Sequence, residues 1–122
     1  MHVIPCLLAM VIVVVSSSVS SGRQETKSDE AATKKAVTEH WLGVADALAK
    51  DYVFRPIEAK DPAFELQPKA IFRHTQTVRG DDIGAVYLWK EPSGRPAVIG
   101  VIFAWTQGRN RWVMHEFHSL HS

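Results

Sequence analysis

Three stretches in the second half of the chain, Gly84 to Lys90, Pro96 to Trp105 and Arg111 to His118, are dense in aromatic and β-branched residues. The breaks between them, Glu91-Pro92-Ser93-Gly94-Arg95 and Gln107-Gly108-Arg109-Asn110, are turn chemistry, so the stretches read as three consecutive antiparallel strands. A two-residue turn at Ser93-Gly94 and a four-residue loop from Gln107 to Asn110 set their register. Tyr87, Gly100 and Phe117 then share one cross-strand row, where two aromatic rings can fill the gap over a glycine. Ala85, Ile102 and His115 form the next row on that face. Val86, Val101 and Glu116, with Leu88, Ile99 and His118 beside them, lie on the opposite face, and Trp105 faces Trp112 near the far turn. A sheet with one face in water alternates apolar and polar residues. These strands do not, so each face requires a cover.

The remaining chain offers two covers. Ser28 is placed to cap a helix, Asp29 and Glu30 suit its positive end, and Val37, Trp41, Val44, Ala45, Leu48 and Tyr52 fall on one helical stripe. Lys34, Lys35, Thr38, Glu39, Asp46 and Lys50 populate the other side. This predicts an amphipathic helix from about Asp29 to Lys50 whose aromatic stripe serves packing. The second candidate is Arg55 to Pro68, an extended connection interrupted by Pro56, Pro62 and Pro68, with apolar anchors at Phe54, Ile57, Phe64 and Leu66. It is too long for a turn and is expected to pack as a cover or an edge strand. Ala70 to Val78 reads as a further strand, followed by a turn at Arg79-Gly80-Asp81-Asp82. The predicted fold is α+β, one amphipathic helix packed on a four-stranded antiparallel meander sheet. If the Phe54 to Leu66 segment does not cover the second face, a partner, a ligand or further sequence has to.

The start of the chain is different in kind. Met1 to Gly22 contains no Lys, Arg, Asp or Glu, and Val3 to Val15 is a continuous apolar run. That length fits a signal-peptide core and falls short of the roughly 20 residues that span a bilayer. Ser18-Val19-Ser20 supplies small residues for cleavage after Ser20, although no basic residue precedes the run. The expected organisation is a signal peptide over 1–20, a disordered polar leader over 21–27 and a single domain over 28–122. The product is exported, periplasmic or secreted; the alternative is an uncleaved segment that anchors the chain to a membrane. Cys6 is the only cysteine, so cleavage leaves a mature chain without thiols, disulfides or thiolate metal sites.

Glu65-Leu66-Gln67-Pro68-Lys69-Ala70-Ile71-Phe72-Arg73, Val78-Arg79-Gly80, Gly84-Ala85-Val86-Tyr87-Leu88-Trp89, Gly94-Arg95-Pro96 and His115-Glu116-Phe117-His118-Ser119-Leu120 together form a distinctive set. In these motifs the chain resembles a group of uncharacterised exported proteins of planctomycete bacteria. The resemblance spans Glu65 to Leu120. It implies export and, the group having no known activity, assigns no catalytic residue. Members of the group continue beyond the His-Glu-Phe-His segment, so further sequence is an expected source of the second cover.

Composition narrows the partners. Lys plus Arg number 14 against 13 Asp plus Glu, so no broad field exists to hold nucleic acid. The expected partner is a protein, or a second copy, bound through an apolar sheet face, with membrane contact confined to the amino-terminal segment if that is uncleaved. Tyr87, Trp89, Trp105, Trp112 and Phe117 are the binding candidates, as an aromatic platform or as core. The rival reading is an exported hydrolase or metal-dependent enzyme using His115, Glu116 and His118, with His121 nearby. Residues three apart on a strand point to opposite faces, which works against one coordination sphere. Ser93 lacks a nucleophile-elbow context, Asp81-Asp82 reads as a solvated turn, and nothing pairs His74 with a partner. No catalytic residue and no cofactor are assigned. Arg79-Gly80-Asp81 matches the tripeptide that animal integrins bind, but Gly-Asp is also ordinary turn chemistry.

Overall fold

A computed structural model describes residues 22–58, 60–76 and 82–120. The fold is α+β: one helix, α1 (Gly22–Asp51), and one curled antiparallel sheet of five strands, β1 (Glu65–Leu66), β2 (Phe72–Gln76), β3 (Asp82–Lys90), β4 (Pro96–Gln107) and β5 (Asn110–Ser119). β2, β3, β4 and β5 form a meander, and the short β1 pairs with the far end of the same β3 edge that β2 uses. The predicted segments over 1–20, with Cys6, lie outside the described residues, as do Arg79-Gly80-Asp81 and His121.

The helix is longer than its stripe. It takes in Gly22 to Lys27, assigned from sequence to a polar leader, so Ser28 is an interior residue and not a cap. Arg, Gln, Glu and Lys are good helix formers, and no proline separates them from the amphipathic part. Burial begins only in the second half, where Ala45 and Ala49 are buried and Leu42, Leu48 and Tyr52 pack beside them. The small alanines let the helix lie close over β3 and β4.

The central register is as predicted: Tyr87 faces Gly100 and Gly100 faces Phe117, Ala85 faces Ile102 and Ile102 faces His115, and Trp105 faces Trp112. Both turns differ from expectation. Glu91 and Arg95 close a three-residue loop, Pro92-Ser93-Gly94, through Gly94 N–H to Glu91 O at 2.8 Å and Glu91 N–H to Arg95 O at 2.9 Å. Gly94 has φ +89°, the left-handed conformation such a loop demands. A bulge restores the register: Lys90 pairs with Pro96 but Trp89 with Val98, leaving Ala97 as the extra residue. The second loop is tighter than four residues, because Gln107 and Asn110 themselves pair and leave Gly108-Arg109 as the turn.

The Phe54 to Leu66 segment is a cover, but of the face the helix already occupies. Phe54 meets Trp89 edge-on at 4.9 Å between ring centroids, and Phe64 N–H donates to Phe54 O at 2.9 Å. Phe64 is part of the buried core with Ala45, Ala49, Ala85, Tyr87, Trp89, Val98 and Ile102. From Glu65 the chain then runs along β3 as an interrupted edge strand. Gln67 N–H reaches Leu88 O, Ile71 N–H reaches Val86 O, and Pro68, which has no N–H to offer, falls in the break.

Candidate functional site

The two faces of the sheet divide the predicted site residues. On the helix face, Trp89 and Tyr87 are 1% and 3% exposed. Phe117 lies over Gly100 and joins Tyr52 (centroids 4.4 Å apart), Phe54 (5.1 Å) and Trp89 (5.8 Å) in an aromatic cluster. Trp89 and Tyr87 belong to the buried core, and Phe117, Tyr52 and Phe54 are partly buried against it. Trp105 and Trp112 stand on the opposite face, Trp112 with 53% of its surface exposed. The five candidates therefore form no single platform: Tyr87 and Trp89 are buried and Phe117 partly buried on the helix face, while Trp105 and Trp112 lie on the other.

The helix face also holds polar groups that close on one another. Tyr87 Oη donates to Asp46 Oδ1 at 2.8 Å, and Arg73 Nη2 reaches Asp46 Oδ2 at 2.7 Å. Burial, then the hydrogen bond to the Asp46 carboxylate, pushes the Tyr87 hydroxyl well above its ordinary pKa. Tyr52 Oη is hydrogen-bonded to His115 Nδ1. Asp46, assigned from sequence to the polar side of the helix, is instead half-buried. Its position next to Ala45 in the packing stripe is the one signal that marks it.

His115, Glu116 and His118 are not brought together. His115 turns to the helix face and Tyr52, whereas Glu116 and His118 share the opposite face, with Nε2 of His118 3.0 Å from Glu116 Oε1. Among the described residues no three His, Cys, Asp or Glu side chains are grouped to hold a metal ion. Ser93 Oγ donates to Glu91 Oε2 at 3.3 Å and accepts from Arg95 N–H at 3.4 Å, a local turn arrangement.

The opposite face is where apolar surface accumulates with no cover among the described residues. Its rows run across the strands: Leu88, Ile99 and His118; then Phe72, Val86, Val101 and Glu116; then His74, Gly84, Phe103 and Met114; then Trp105 and Trp112. None of these apolar side chains belongs to the buried core, and Phe72 and Met114 are 61% and 45% exposed. His74 lies between Phe72 and Phe103, with ring centroids 6.4 and 6.2 Å away. Among the described residues polar groups lie at its borders: His74 on β2, Lys90 at the end of β3, and Glu116 and His118 on β5. Phe72, Phe103 and Met114 were not singled out from sequence, although strand alternation places Phe103 and Met114 on the same face as Val101 and Glu116.

Comparisons with protein-family models, with curated proteins and with solved structures give no match.

Proposed function

We propose that the chain is an exported, non-catalytic domain that binds a protein partner through the face of the sheet opposite α1. One observation carries this reading: the helix and the Phe54 to Leu66 segment both pack on one face, and the face bearing Val86, Leu88, Ile99, Val101 and Phe103 has no cover among the described residues. A contiguous apolar surface of this kind on a soluble domain marks an interaction site. Export is supported by the charge-free apolar start and by the resemblance to exported planctomycete proteins. The dispersal of His115, Glu116 and His118 over two faces speaks against the hydrolase or metal-enzyme reading. The reading is tested by light scattering combined with binding of an anilinonaphthalene dye to the folded chain. Self-association or dye binding, lost on Val101→Lys, is the expected result; a monomer that binds no dye overturns it.

A further inference from the structure

The open face has the features of half a sandwich core. Its centre is made of Val86, Leu88, Ile99, Val101 and Phe103, five apolar side chains in adjacent rows on the two middle strands. These five side chains carry no charge and no hydrogen-bonding group by which a foreign partner would be selected; Trp105 Nε1, in the end row of the face, is buried without a hydrogen-bond partner among the described residues. Interfaces between identical subunits are the more apolar class, with charge displaced to the rim. Here the rim is His74 on one border, Glu116 with His118 on the other, and Lys90 at the end of β3.

Shape and size agree. The thirteen positions of these rows, with strands about 4.8 Å apart and rows about 7 Å apart, present about 440 Å² of flat area. Two copies therefore bring about 900 Å² of flat area together, and only with side-chain relief added does the buried surface approach the lower end of the 1,200–2,000 Å² of a specific interface. A twisted sheet is complementary to another sheet of the same twist, packed about 10 Å away. The formal charge of +1 adds almost no repulsion between copies. A lipid surface fits less well, because the border near β5 carries Glu116 where an anionic membrane calls for lysine or arginine.

We infer that the occupant of this face is a second copy of the chain, giving a two-fold homodimer in which two sheets pack face to face and the two helices lie outside. The inference rests on the binding reading above and names its partner. Because the interface is isologous, each substitution enters it twice.

The test is sedimentation velocity of the full chain over a dilution series, with dye binding measured on the same samples. Val101→Lys is the main variant. Its cross-strand neighbour is Glu116, so the new ammonium has a counter-charge in the monomer but is desolvated in the dimer. The wild-type chain is expected to sediment as a dimer, and Val101→Lys to weaken dimerisation at least about a hundredfold with the β-sheet signal retained. If that variant loses its fold, Met114→Lys, whose side chain is already largely exposed in the subunit, gives the same reading. A wild-type monomer that binds dye overturns the homodimer while leaving the binding reading intact. A monomer that binds no dye overturns both. A dimer indifferent to both substitutions places the contact elsewhere and also overturns the inference.

Discussion

Two glycines separate conformational propensity from packing. Gly43 lies in the helix with open space where a Cβ would project. Gly43→Ala is expected to raise stability by about 1 kcal/mol, the helix-propensity difference. At Gly100 a Cβ would lie 2.6 Å from Phe117 Cδ1 and 2.9 Å from Trp89 Cζ3, within the aromatic cluster. Gly100→Ala therefore costs about 1–3 kcal/mol by overpacking. Thermal unfolding of the two variants should move in opposite directions. The sequence made Gly100 legible because Tyr87 and Phe117 face it in the register. Trp89, the second ring over it, is diagonal to it and was not singled out for that role.

Tyr87 makes a pH-dependent prediction at the same scale. Its hydroxyl pKa is raised in the fold, chiefly by burial and then by the bond to Asp46, so the folded state resists losing that proton. Stability from this group is fully present below the unfolded value of about 10 and is lost as pH rises above it. Between pH 8 and 11 the wild-type melting temperature should fall more steeply than that of Tyr87→Phe, and equal slopes contradict the assignment. At neutral pH the variant loses about 1 kcal/mol, the net worth of one hydrogen bond. The Arg73–Asp46 pair is half in water and adds little.

At the scale of elements, the paired strands were legible because alternation and turn chemistry act locally. The turns themselves were not. Pro92-Ser93-Gly94 has three residues where two were expected, and Ala97 absorbs the difference as a bulge, so the register past Trp89 matches expectation despite a different loop. A bulge leaves no composition signature, and here it falls on a buried alanine. The tight Gly108-Arg109 turn demands φ +63° at Gly108. Gly108→Val strains that backbone, and about 1 kcal/mol or more of stability should be lost, read as a lower denaturation midpoint. The extension of α1 to Gly22 was not legible from periodicity, since Arg23 to Lys27 are polar and carry no apolar stripe.

At the scale of the molecule, the absence of polar alternation in three strands indicated that both faces of the sheet need covering. Which face each cover would take was not readable, because that depends on the path of the chain after Tyr52, where Phe54 folds back onto Trp89 and Phe117. Among the described residues, one face is covered twice and the other has no cover. Oxidative footprinting by hydroxyl radicals, read by mass spectrometry in wild type and Val101→Lys, tests this division most directly. Trp89, Tyr87 and Phe117 should stay protected in both chains at every concentration. Met114 and Trp112 should be oxidised freely in Val101→Lys, and in wild type only after dilution. Protection of Met114 and Trp112 in both chains at all dilutions would mean that the chain covers this face itself, and would contradict the account.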